Sequence, residues 1–84
     1  MVKAVILVKS PKKLIAARLQ KINHISKSFP VTGQFDAVAI IEVNDLINIK
    51  EITNAIQSIN GVERTETMVE LEWALKKLIF LSYF

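Results

Sequence analysis

The chain of 84 residues contains no cysteine, which excludes a disulfide framework, a thiol nucleophile and any cysteine-based metal site. It has a single histidine, His24, so no multi-histidine centre can form. Its 2 glycines, Gly33 and Gly61, lie far apart, and no glycine-rich phosphate loop exists. No run reaches the roughly 18 apolar residues of a membrane span. The N-terminal MVKAVILVKS lacks a small-residue cleavage pattern and does not read as a signal peptide. These absences predict a soluble, cytoplasmic protein without metal or cofactor. Acid is missing from residues 1–35, which carry seven bases; residues 36–84 carry four bases against eight acids, a net of −4 within a formal total of +3. Opposite-sign halves can meet across subunits and add register to such contacts.

What is abundant is grease. Hydrophobic residues make up 51% of the sequence, yet a domain of this length buries only roughly 60–65% of its unfolded surface. The surplus belongs on a contact surface, and self-association is the cheapest cover.

The chain also repeats itself. Gln20-Lys21-Ile22-Asn23-His24-Ile25 aligns with Gln57-Ser58-Ile59-Asn60-Gly61-Val62 at an offset of 37, and Ile15 and Leu19 answer to Ile52 and Ile56. The apolar run Ala4–Val8 corresponds to residues 37–41. Each half reads strand, helix, strand. In the first half, residues 2–9 are a β-branched run. Ser10 is a good helix cap and Pro11 suits a first helical position; Ile15, Leu19 and Ile22 then recur at helical spacing. His24 falls at the predicted helix end, where it would meet the terminal carbonyls. Ile25, Lys27, Phe29 and Val31 alternate with serines and Pro30, so this strand is an edge. In the second half, residues 37–43 form a strand, and Asn48 with Glu51 resembles a capping box. Ile49, Ile52, Ile56 and Ile59 make the buried stripe, and Gly61 stops the helix. A half-charged strand from Val62 to about Val69 is the other edge. In residues 71–84, Leu71, Leu75, Leu78 and Ile79 share the face of a short predicted helix, supported by Glu72 and Lys76.

The expected fold is α+β, a ferredoxin-like βαββαβ sandwich with antiparallel strand order 4-1-3-2. Right-handed crossovers place both helices on one face. The central strands are apolar on both faces, with Val5 and Leu7 opposing Ala4, Ile6 and Val8, so the uncovered face needs a partner. A sheet-to-sheet dimer supplies one; a C-terminal tail folded over that face is the alternative.

Chemistry has little to work with. Glu63, Glu66, Glu70 and Glu72 face no nucleophile, and nothing reads as catalytic. One turn stands out: Val31-Thr32-Gly33-Gln34-Phe35-Asp36. Gly33 supplies the positive φ of a hairpin and lets a ligand approach the backbone, whose N–H groups can hold a carboxylate. Asp36 can orient the loop or attract an ammonium group.

This turn, followed by Gly61-Val62-x-Arg64-Thr65-x-Thr67, resembles the ligand-binding (RAM) domain of the Lrp/AsnC transcriptional regulators over residues 2 to about 70. The resemblance implies dimers built through the sheet, often assembled as octamers of four dimers, and an amino-acid effector held between subunits. Carried onto this chain, the ligand contacts are Gly33, Gln34 and Phe35, with Asp36 shaping the loop and Thr65 and Thr67 approaching from the last strand of a neighbouring subunit. Full-length members carry a helix-turn-helix before this domain. Here the first strand begins at residue 2, so residues 1–84 are expected to form one domain, with core 2–70 and extension 71–84. Such a stand-alone module would not read DNA by itself, though it could join full-length regulators in mixed oligomers. Gln34 replaces an acid common at its position in relatives, which leaves the effector open.

Two other readings use the same frame. RNA-recognition domains stack bases on aromatics of the central strands, and residues 2–9 and 37–43 have none. Small dimeric α/β-barrel enzymes need an acid–base pair, which a lone His24 does not provide.

Overall fold

Four strands and two helices account for residues 2–70, the part of the chain described by the computed structural model. The predicted C-terminal helix lies outside the described residues. The order is β1 (Val2–Lys9), α1 (Ala16–Leu19), β2 (Ile25–Pro30), β3 (Ala37–Val43), α2 (Leu46–Gln57) and β4 (Arg64–Val69). The sheet is antiparallel in the order β2-β3-β1-β4, the expected ferredoxin-like arrangement, with the two apolar strands central and the mixed strands at the edges.

Alternation along the strands sorts side chains onto two faces. Ala4, Ile6 and Val8 of β1 and Ala37, Ala39 and Ile41 of β3 are buried with Ile15, Leu19, Ile49, Ile52 and Ile56 from the helical side. This is the core. Val5, Leu7, Val38 and Ile40 point the other way and are only half-buried. Among the described residues, one face is thus covered and the other open.

The internal repeat is visible in hydrogen bonds. Ile22 donates to Leu19 and Ile25 to Ile22; in the second half Ile59 donates to Ile56 and Val62 to Ile59. Both helices therefore unwind through the same tight turn, and each turn holds one left-handed residue. In the second half this is Gly61, at φ +106; in the first it is His24, at φ +76. His24 serves the fold through this backbone conformation, and its side chain makes no bond to helix carbonyls among the described residues. Its Cβ makes that conformation costly by roughly 1–2 kcal/mol. His24→Gly removes the strain but adds freedom to the unfolded chain, worth about 0.4–1 kcal/mol. The variant should gain about 0.5–1 kcal/mol in urea unfolding, whereas a loss would show that the imidazole does more than fill the turn.

Three local expectations are corrected. Ser10 does not cap α1. Its N–H donates to Asp36 Oδ2 at 2.8 Å and its hydroxyl to the Lys13 carbonyl at 3.0 Å, so residues 10–13 close a turn and the helix starts only after Ile15. The cap of α2 is Asp45, three residues before Asn48; Asn48 Nδ2 instead donates to the Glu51 carboxylate at 3.2 Å, a side-chain link within the first turns. Finally, β2 carries an irregularity between Ile25 and Lys27. It shifts the alternation, so Ile25 joins the core beside Ile41 while Lys27 and Phe29 lie opposite Ile40 and Val38 on the open face.

The exposed edge of β2 is partly protected. The Ser28 N–H donates to Gln20 Oε1 at 2.9 Å and the Ser28 hydroxyl to the Ala16 carbonyl at 2.7 Å. These bonds tie α1 to the strand and occupy a donor that an edge would leave open.

Candidate functional site

The turn between β2 and β3 is closed at its base and open at its tip. Val31 N–H donates to the Asp36 carbonyl at 3.1 Å, and Asp36 N–H donates to the Val8 carbonyl at 2.8 Å. The Asp36 carboxylate then takes the Ser10 N–H. Asp36 thereby braces the loop against the end of β1. Nothing in the sequence points to Ser10 as its partner; it is 26 residues away in the chain, and only the β1–β3 register brings them together.

Beyond this brace, Thr32, Gly33 and Gln34 are exposed and Phe35 is half-buried. Gly33 sits at φ +116, and a Cβ built there would meet nothing within 4 Å. Backbone geometry alone demands glycine, and the space beside it is open. Among the described residues, the N–H groups of Gly33, Gln34 and Phe35 take part in no backbone hydrogen bond. Three adjacent donors without backbone partners are a candidate place for an anionic group. A cleft of about 240 Å³ runs beside the turn, lined by Ser10 to Leu14, Pro30, Val31 and Asp36. Its lysines, Lys12 and Lys13, are exposed.

The last strand contributes differently from expectation. Thr65 and Thr67 share a face, as alternation requires, but it is the helix-covered one. Thr65 Oγ1 accepts from Gln57 Nε2 at 2.9 Å. Thr67 pairs with Ile6, is 1% exposed, and its hydroxyl finds no partner among the described residues. The structure brings Gly33, Gln34, Phe35 and Asp36 together; Thr65 stays near the surface at the start of β4, and Thr67 is sealed in the core. What reaches the turn from β4 is Arg64, whose guanidinium lies over the Phe35 ring at 5.1 Å. Its place beside the threonines in the sequence is a signal; its opposite orientation follows from the strand period.

A second candidate surface is the open sheet face. Val5 and Leu7 of β1, Val38 and Ile40 of β3, Met68 of β4 and Phe29 of β2 lie on it, and Met68 is 50% exposed. A shallow hollow of about 360 Å³ lies between Val5, Ile40 and Met68. The rim is charged: Lys3 pairs with Glu42 at 3.7 Å, and Lys27 lies over Phe29 at 5.8 Å. An apolar centre with a polar rim is the usual anatomy of a protein interface.

Known structures share this fold. A Thermus thermophilus protein, TTHA0845, is 27% identical, with a TM-score of 0.77 over 83% of this chain and 92% of its own. A transcriptional regulator of Neisseria meningitidis, solved as a complex with L-Met, is 20% identical with a TM-score of 0.71, over 82% of this chain and 49% of its own. The leucine response regulatory protein of Mycobacterium tuberculosis is also 20% identical, with a TM-score of 0.72 over 83% and 50%. The chain spans about half the length of these two regulators. No curated protein matches it significantly. The family model of the Lrp/AsnC ligand binding domain matches residues 3–76, and with the fold and the turn already in place, the chain belongs to that family of regulator-related effector-binding domains.

Proposed function

We propose that the chain is an amino-acid-sensing and assembly module, which binds a small amino acid at the β2–β3 turn and associates with copies of itself through the open sheet face. The observation that carries this reading is the braced turn. Asp36 fixes it to β1, and the N–H groups of Gly33, Gln34 and Phe35, which have no backbone acceptor among the described residues, are available to an α-carboxylate. Thr65 stands near enough to the surface at the start of β4 to contribute from a neighbouring subunit. Thr67 supports β4 from inside unless assembly exposes it.

Self-association is supported by the apolar centre of the open face. A dimer closed over it leaves the turns at its ends, where further dimers can meet and complete inter-subunit sites, up to an octamer of four dimers. Full-length regulators of the same family could join such assemblies. The module acts by binding and not by catalysis, a reading supported by its membership of a regulatory-domain family. Cytoplasmic placement fits that role, and no helix among the described residues is long and apolar enough to cross a membrane.

A ligand that binds only the folded state stabilises it, by about 2.7 kcal/mol at a hundredfold excess over Kd. In a domain of this size that corresponds to roughly 10–20 °C in Tm. A melting screen against the twenty amino acids, with mass in solution recorded in parallel, should find at least one that produces such a rise or changes the oligomer. Twenty flat responses would sink the sensing role.

A further inference from the structure

Lys9 and Arg64 are direct register partners at the ends of β1 and β4. Their side chains fall on the open face, in phase with Leu7 and Glu66. Like charges placed opposite one another across strands are destabilising, so the pair costs stability unless an anion joins it. Among the described residues neither base forms an ion pair; Lys3 with Glu42 does. The nearby acids are otherwise placed. Glu66 lies one row inward on the same face, opposite Leu7, and the Asp36 carboxylate, beside Lys9 where the β1–β3 register continues, already takes the Ser10 N–H at 2.8 Å.

Arg64 is also held. Its guanidinium carbon lies 5.1 Å from the Phe35 ring centroid, and Phe35 belongs to the open turn. A guanidinium over an aromatic face still has the N–H groups of its edge to donate. A carboxylate matches that edge with two parallel N–H bonds. Lys9 adds a second positive charge on the adjacent strand. Around the turn there are therefore two distinct stations for a carboxylate: the backbone donors of Gly33, Gln34 and Phe35, and the Lys9–Arg64 pair. Asp36, the residue after Phe35, carries the negative charge that complements an ammonium group.

We propose that Arg64, positioned by Phe35 and assisted by Lys9, reads a side-chain carboxylate, so that the effector is an acidic amino acid, aspartate or glutamate. This rests on the turn being the effector site, as proposed above. It assigns the chemistry of the ligand from Arg64, which stands within the Gly61–Thr67 motif, and Lys9, which lies outside it.

The test uses the whole chain with L-aspartate, L-glutamate, L-asparagine and L-glutamine, and then the other amino acids, measured by calorimetric titration and melting. Arg64→Gln, Arg64→Lys and Lys9→Gln are compared with the unmodified protein. Arg64 is exposed and Lys9 half-buried, and the melts without ligand report whether each variant keeps the fold. The expected result is binding of an acidic amino acid at least about tenfold tighter than its amide, a difference of about 1.4 kcal/mol. Arg64→Gln should lose about tenfold or more of that affinity, Arg64→Lys recover part of it, and Lys9→Gln lose less. Equal binding of acid and amide, or an Arg64→Gln variant that keeps its preference, overturns the assignment. A response only to neutral or apolar amino acids overturns it too, while leaving the sensing role intact; silence from all twenty removes both. A change in self-association without any change in ligand binding would place the two bases in a subunit contact and also overturn it.

Discussion

Val5→Glu should break the assembly while sparing the fold of the single chain. Val5 lies opposite both Ile40 and Met68, in the apolar centre of the open face, and its side chain points away from the core that holds Ala4 and Ile6. In a dimer closed over this face the new carboxylate would be buried without a partner, a cost of about 3–5 kcal/mol. At 1.4 kcal/mol per factor of ten, association weakens by roughly two to three orders of magnitude. Sedimentation equilibrium should show a shift to the mass of one chain, with far-ultraviolet circular dichroism unchanged. Lys27→Glu at the rim of the same face, where solvent screens charge, should change association by less than about 1 kcal/mol. Equal effects at the two positions would place the contact elsewhere.

Asp36→Ala should both destabilise the domain and abolish its response to an effector. Removal of the carboxylate leaves the N–H of Ser10, a buried residue, without its acceptor. Hydrogen bonds to charged groups contribute about 1.5–3 kcal/mol, so a loss of that size is expected in urea unfolding. The turn also loses its side-chain tie to Ser10 and keeps only the Asp36 N–H bond to the Val8 carbonyl, so the N–H groups of Gly33, Gln34 and Phe35 are less firmly placed. Asp36→Asn keeps an oxygen that can accept from Ser10 and should lose about half as much stability, with much of the response retained. Stability unchanged in Asp36→Ala would mean that the turn is held by its backbone bonds alone.

The parts of this fold that can be read from the sequence are those governed by local pattern. β1 and β3 run over residues 2–9 and 37–43 as expected, because apolar runs rich in Val and Ile suit strands buried between neighbours. The buried stripe of Ile49, Ile52 and Ile56 in α2 follows from its period. The failures share a cause. Ser10 carries a good capping side chain, but a carboxylate 26 residues away claims its N–H, and no local rule anticipates that. The shift in β2 at Ser26 moves Lys27 and Phe29 to the opposite face from Ile25, again through pairing with β3. The repeat places His24 and Gly61 in register, yet a histidine at positive φ is legible only by analogy with the glycine it matches.

The site divides along the same line. Gly33 and Asp36 announce the turn, since one needs the left-handed region and the other offers a carboxylate at the strand entry. Strand alternation puts the threonines of β4 on a common face, but which face depends on pairing with β1. That pairing turns Thr67 inward and Arg64 outward onto Phe35.

Among the described residues, helices on one side leave the other apolar face of the two middle strands uncovered, and a second copy is the proposed cover. Mass in solution by sedimentation equilibrium, on the unmodified chain from micromolar to millimolar concentration, tests it most directly. The expected mass is at least twice that of one chain across most of this range; a single-chain mass maintained to the highest concentration would contradict the claim.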